Sequence, residues 1–141
     1  MIADGSHVRA LGGLPSGIDD ATLAPFFGPA SRRLKEWVGN EAYSDAEQST
    51  PEDGDRAAAL KDAEGYLVLY YAAPRLNMVI GDSGIITYKI DGTSSDEFTY
   101  LAPRELERLR EVWLQDAVSS CRVYIIKAGV TVGISTVAAD E

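Results

Sequence analysis

The sequence has one cysteine, one histidine, few basic residues and no long apolar run, and each shortage removes a class of function. Cys121 is the only cysteine in 141 residues, so no internal disulfide can form and a reducing cytosol suits the chain. His7 is the only histidine. A His-based triad, a multi-His metal centre or a Cys–His nucleophile would each have to use it. It lies in a Gly/Ser-containing N-terminal stretch and reads as an exposed terminal side chain. The strongest apolar run, Tyr66 to Ala73, falls far short of the ~20 residues that span a bilayer, so no membrane partner is expected. The opening MIADGSHVRA lacks the basic and apolar regions of a secretory signal. Lys and Arg number 13 against 22 Asp and Glu, a net charge of −9. Clustered cations for neutralising phosphates are missing, which argues against a basic nucleic-acid-reading domain.

Catalytic motifs are missing as well. The sequence contains no GxxxxGK[ST] loop, no GxGxxG after a strand and no GxSxG elbow. Gly81-Asp82-Ser83-Gly84 has the letters found around a serine-protease nucleophile, but without a competent histidine it reads as a turn. Cys121 occupies an apolar position of a predicted helix and reads as a small buried hydrophobe. Glu64 and Asp62, or the acids of 41–55, could form a carboxylate-only site solely in a concave pocket with perturbed pKa values, which the pattern does not indicate. The expectation is therefore no catalytic residue, no metal site and no cofactor.

What is present is an ordinary globular composition, 45% hydrophobic and 25% charged, at a length that suits one domain. Gly5, Gly12, Gly13, Pro15 and Gly17 make residues 1–18 read as an extended arm. Asp19 or Asp20 is a candidate N-cap for a helix to Val38, with Gly39 as its stop. Leu23, Phe26, Phe27, Ala30, Leu34, Trp37 and Val38 form its apolar face. Pro25 suits a first turn, and Pro29 predicts a kink or a short helix followed by a longer one. An acidic loop follows to about Gly54. A second helix is predicted over about 55–76, apolar on all sides from Tyr66 to Ala73 and hence central. Ile85 to Ile90, bracketed by Gly84 and Asp91-Gly92, have a hairpin or edge-strand signature. A third helix is predicted from Pro103 to about Lys127, with Leu106, Leu109, Trp113, Ala117, Cys121 and Tyr124 in one stripe. Trp37, Trp113, Tyr70 and Tyr71 are read as core before interface anchors. The fold class is mainly α: a three-to-four-helix bundle over 19–127 with a small β-hairpin insertion near 79–100, and extended N- and C-terminal arms at 1–18 and 128–141.

This layout resembles the head-completion and head-to-tail connector (adaptor) proteins of tailed bacteriophages. The resemblance lies in Asp19-Asp20-Ala21-Thr22-Leu23-Ala24-Pro25-Phe26-Phe27, in Trp37-Val38-Gly39 with Tyr43, and in Leu60-Lys61-Asp62-Ala63-Glu64-Gly65-Tyr66-Leu67 continuing to Tyr71, followed by Asn77 and Gly84-Ile85. These are patterns of size and polarity over about residues 19–125. The resemblance implies a structural, non-enzymatic virion protein at the head–tail interface, present in the host cytoplasm during assembly. Its implied partners are copies of itself in a ring (a dodecamer by resemblance), the portal protein, and tail or stopper proteins. Genomic DNA would pass through without sequence-specific binding.

Two sets of residues follow as candidates. Glu41, Asp45, Glu47, Glu52, Asp53 and Asp55 would lie in the lumen or at the rim, where negative charge lets DNA slide without sticking; a plain solvated loop is the simpler alternative. Val130, Val132, Ile134 and Val137 belong to a β-prone tail with no obvious partner strand, a candidate for docking on the portal. A small acidic intracellular protein-binding module is the alternative function.

Overall fold

A 30-residue helix is the axis of the molecule, and the other helices pack around it. The computed structural model describes residues 2–14, 17–48, 54–83, 103–126, 130–132 and 135–137, and within them the protein is mainly α. The helices are α1 (Gly5–Gly12), α2 (Asp20–Leu23), α3 (Phe27–Val38), α4 (Asn40–Glu47), the axial α5 (Gly54–Ser83) and α6 (Pro103–Cys121). One 3-10 turn, Ala24–Phe26, joins α2 to α3, and another, Arg122–Tyr124, follows α6.

The axial position of α5 follows from its side chains. Leu60, Ala63, Leu67, Val68, Leu69, Ala72, Ala73 and Leu76 are all buried. They point in several directions from the helix, so it must be covered on several sides. Pro74 lies inside α5 and cannot supply the N–H that the carbonyl of Tyr70 would normally accept. Arg110 replaces it, donating from Nε to that carbonyl at 3.1 Å. The same contact joins α5 to α6. Arg110 lies beside Tyr70 and Asp116 acts on Tyr66, so the two helices run antiparallel.

The proline-rich start is a short helix, a break and a longer helix, as the sequence predicts, but the break holds Pro25, while Pro29, to which the sequence reading assigns the kink, sits in the first turn of α3. Asp19 caps α2 by accepting the Thr22 N–H at 2.9 Å. Leu23, Ala30, Leu34, Trp37 and Val38 are buried, with Phe26 and Phe27 packed at the edge of the core. Gly39 ends α3 at φ +92°, ψ 152°, a conformation that a side chain would oppose, and the chain turns at once into α4.

Several sequence expectations are corrected. Residues 1–18 are not simply an extended arm. Asp4 accepts the His7 N–H at 2.8 Å and caps α1, and Gly13, at φ +60°, closes its other end. The glycines serve here as a cap and a packing contact, so counting them as loop signals misread the segment. The acidic loop begins as a helix, because Tyr43 and Ala46 give α4 a buried side while its carboxylates face water. The β insertion does not start at 79. Val79 to Ser83 continue α5, since extending a formed helix costs far less than nucleating a new element; residues 84–100 lie outside the described residues. Gly81-Asp82-Ser83 are accordingly helical, not a turn. Helix α6 ends at Cys121 rather than Lys127, where the backbone leaves helical geometry at φ −118°, ψ 17°.

The tail is corrected too. Val130–Val132 (β1) and Ser135–Val137 (β2) pair antiparallel, Val130 opposite Val137 and Val132 opposite Ser135. The partner strand missing from the sequence reading lies within the tail itself.

Candidate functional site

The acidic candidates occupy one end of the axis. Glu41, Asp45 and Glu47 lie on α4 and Asp55 in the first turn of α5, all exposed. Glu52 and Asp53 lie outside the described residues. Asp45 meets Arg56 of α5 at 3.4 Å, a solvent-facing pair worth at most about 1 kcal/mol. The four described carboxylates are therefore carried by helices, Glu41, Asp45 and Glu47 on α4 and Asp55 on α5.

The docking candidates Val130, Val132 and Val137 sit in the β1–β2 ribbon, and Ile134 lies outside the described residues. The stretch leading to this ribbon is firmly tied. Ile125 is buried, and the Ile126 N–H donates to the Trp37 carbonyl at the end of α3, at 2.7 Å. Beside this anchor, Val123 is 82% exposed and Ile126 59%. The tail thus starts from a fixed point flanked by two exposed apolar side chains, and β1 then lies beside α6.

A residue that sequence reasoning considered only as a carboxylate partner of Asp62 organises the packing of three segments. Glu64 of α5 is completely buried. Its Oε2 accepts the backbone N–H groups of Ile2 and Ala3, each at 2.6 Å. Its Oε1 accepts the Ser31 hydroxyl of α3 at 2.7 Å and the Tyr43 hydroxyl of α4. Four donors from three segments converge on one carboxylate, the full satisfaction that a buried charge requires. Burial, and then the bond to Glu64, push the Tyr43 hydroxyl well above its ordinary value of 10. The available signal was spacing: Glu64 stands four residues from both Leu60 and Val68, on a buried side of α5, where an ionised side chain must find donors.

His7 also differs from its sequence reading. It is half-buried, and its Nε2 lies 2.8 Å from Asp62 Oδ1. Asp62 and Glu64, considered as a carboxylate pair, serve separate contacts on the N-terminal segment. Cys121 is buried; burial pushes its thiol up to about 12, which suppresses the thiolate that a nucleophile needs.

The aromatic residues join helices. Arg33 of α3 lies 5.5 Å from the Trp37 ring, 5.6 Å from Tyr70 and 5.9 Å from Tyr71. It also donates to the Tyr71 hydroxyl at 3.2 Å. Arg110 covers the other approach to Tyr70 at 4.3 Å. Trp37 and Trp113 are buried, as the core reading expects, and Tyr70 and Tyr71 are half-buried.

One open cleft of about 410 Å³ is lined by Asp19, Ala21, Thr22, Pro25, Phe26 and Arg75. The Thr22 backbone N–H and hydroxyl hold the Asp19 carboxyl below its ordinary range, which suits a helix cap. The Thr22 hydroxyl donates to Asp19 at 2.9 Å as part of that cap. Among the described residues no group of three His, Cys, Asp or Glu is arranged to hold a metal ion, and no helix is long and apolar enough to cross a membrane. Comparison with protein-family models, with curated proteins and with solved structures finds no match to this chain.

Proposed function

We propose that this chain is a structural adaptor of a tailed-phage virion, one subunit of a ring that connects the portal to the tail and does no catalysis. The observation that carries the reading is the C-terminal ribbon. It leaves the bundle from the Ile126–Trp37 anchor, between the exposed side chains of Val123 and Ile126. A ribbon of two three-residue strands is marginal alone, and unpaired outer edges are templates for another chain. The ribbon and the two apolar residues are the docking element for the portal, and tail or stopper proteins meet the opposite rim of the ring.

Charge supports the same reading. A net charge of −9 per chain, repeated around a ring, makes a strongly negative assembly. The exposed carboxylates Glu41, Asp45, Glu47 and Asp55 belong to its lumen or rim, where they repel the phosphate backbone and let DNA slide.

Deleting residues 130–141 tests the proposal. The truncated protein should keep its helical circular-dichroism signal and lose co-sedimentation with purified portal-bearing heads, while the full chain co-sediments and appears as a ring on portals in negative stain. Normal attachment of the truncated protein would remove the docking role. Failure of the full chain to form rings or to bind heads would favour the alternative, a small acidic protein-binding module.

A further inference from the structure

The open cleft lies where α2 and the 3-10 turn after it pack on α5. Its volume of about 410 Å³ falls within the range, roughly 300–1,000 Å³, of sites that hold small molecules. Its walls differ in chemistry. Pro25 and the half-buried Phe26, both in the 3-10 turn, give it an apolar wall. Arg75 lines it from α5. Met78 stands three residues beyond Arg75, on the same side of that helix, and is 52% exposed, which sets a further apolar side chain beside the guanidinium.

Two opposite charges line this cleft and do not meet. Arg75 is exposed and, among the described residues, has no hydrogen bond, ion pair or ring contact. Asp19 is committed through one oxygen only. Its Oδ1 accepts both the N–H and the hydroxyl of Thr22, each at 2.9 Å, while Oδ2 accepts no donor among the described residues. A cation and an anion thus face one cavity beside an aromatic and prolyl surface, each with capacity to spare.

That pattern selects among ligands. The planar guanidinium of Arg75 suits the two oxygens of a carboxylate, Asp19 Oδ2 suits an ammonium, and Pro25 and Phe26 suit hydrocarbon. A phosphate or a dicarboxylate would bring surplus negative charge against Asp19, a like-charge contact that disfavours both. An uncharged apolar molecule would leave both charges unmatched. We infer that this cleft binds a small zwitterion with an apolar body, of the class of a free amino acid with an apolar side chain. The inference does not rest on the connector reading, since neither the tail nor a ring enters it. Because the charges are exposed and the cleft is open, binding is weak, with a dissociation constant of about 1 mM.

Titration of L-phenylalanine into the 15N-labelled full-length protein tests the site through amide chemical shifts. The expected result is a saturable shift centred on Ala21, Thr22, Phe26 and Arg75. Two relatives of the probe separate the charges. Phenylalaninamide lacks the carboxylate and should bind about tenfold more weakly, and N-acetylphenylalanine, which lacks the ammonium, about threefold more weakly. Arg75→Gln should reproduce the first loss with L-phenylalanine, and Asp19→Asn the second. Both variants keep the fold, because Arg75 holds no partner among the described residues and Asn caps a helix as well as Asp does. Arg122→Gln, exposed beyond α6, should bind like the wild type. No saturable shift at these residues up to about 20 mM, far past the expected constant, would overturn the inference. Equal binding by phenylalaninamide or N-acetylphenylalanine would overturn it too, since one charge would then suffice, and so would full binding by Arg75→Gln. Attachment of the chain to portal-bearing heads is a separate measurement, so the failure of either reading is seen without the other.

Discussion

The two ends of this chain look alike as sequence and differ as structure. Each is short, carries small residues and lies outside the predicted helices, so each reads as an arm. The N-terminal segment ends on a buried carboxylate that takes two of its amides and packs a helix against α5 through Gly12 and Gly65. The C-terminal segment folds back on itself as a three-residue-strand ribbon, beyond an anchor at Ile126. The difference teaches that an arm's fate is set by what waits on the domain to receive it. Glu64 is a strong receiver, because burial has stripped it of water and it must be given donors. Val123 and Ile126 are exposed, and in the docking proposal they become a receiver when a second protein supplies the missing surface.

The largest test of this contrast is Glu64→Ala. The Ile2 and Ala3 amides and the Ser31 and Tyr43 hydroxyls would lose their acceptor, and a cavity would open in the middle of the core. Unsatisfied buried donors cost about 1–3 kcal/mol each, partly relieved by water, and removing one member of a buried charged network costs about 3–5 kcal/mol in total. Urea denaturation should show a loss in that range. A loss below about 1 kcal/mol would mean that the N-terminal segment is held mainly by its apolar contacts.

Tyr43→Phe removes one donor and keeps the ring. A hydrogen bond to a charged group is worth about 1.5–3 kcal/mol, and the variant should lose about that much near pH 7. The pH dependence has a definite sign. The folded state holds the Tyr43 proton well above its ordinary value of 10 because of burial and Glu64, whereas the unfolded chain releases it near 10. The folded protein thus binds more protons in that range, so the hydroxyl's contribution is complete below pH 10 and declines as pH rises above it. The stability gap between wild type and Tyr43→Phe should narrow in alkali. A gap that is constant with pH would place the cost of the substitution in packing.

Gly65→Ala is a smaller and more local test. In an open helix interior this change would stabilise by roughly 0.5–1 kcal/mol. Here the new methyl meets Leu11 Cδ1 at 2.5 Å, and overpacking of this kind costs about 1–3 kcal/mol. The expected outcome is a net loss of about 1 kcal/mol, together with faster amide exchange in α1 and an unchanged α6. Leu11→Ala in the same chain should recover part of the loss. A stabilised single variant would show that α1 gives way easily and does not need the glycine contact.

The helical architecture was legible because its signals are local and periodic. The stripes Leu60-Ala63-Leu67-Ala73 and Leu109-Trp113-Ala117-Cys121 are buried as their spacing predicts, and the Asp19 cap and the Gly39 stop stand where the sequence puts them. Two kinds of feature were not legible. The sequence reading ends the second helix at about 76, just past Pro74, and gives no sign that Arg110, far along the chain, donates to the Tyr70 carbonyl that Pro74 leaves without its usual partner. Glu64 gives no local sign of its partners, since its donors come from residues 2, 3, 31 and 43. Both depend on contacts distant in sequence, which periodicity cannot register. The acidic set was legible as composition and misread as a loop, because the small and aromatic buried side of α4, Tyr43 and Ala46, is only two residues wide.

The smallest expected effect belongs to the other arm. Removing residues 130–141 takes away a ribbon whose ladder joins β1 only to β2 and which meets the bundle where β1 lies beside α6, after Ile125 is already buried and Ile126 tied to Trp37. Truncation beyond that tie removes the contact with α6 and should shift the free energy of unfolding by no more than about 1 kcal/mol, the size of an ordinary single change. Set beside Glu64→Ala, it separates an arm that builds the domain from one that serves another molecule. A loss of more than about 2 kcal/mol on truncation would mean that the contact of β1 with α6 completes the core. The two arms would then differ only in degree, and the docking surface would have to be sought elsewhere, first on the exposed acidic face of α4.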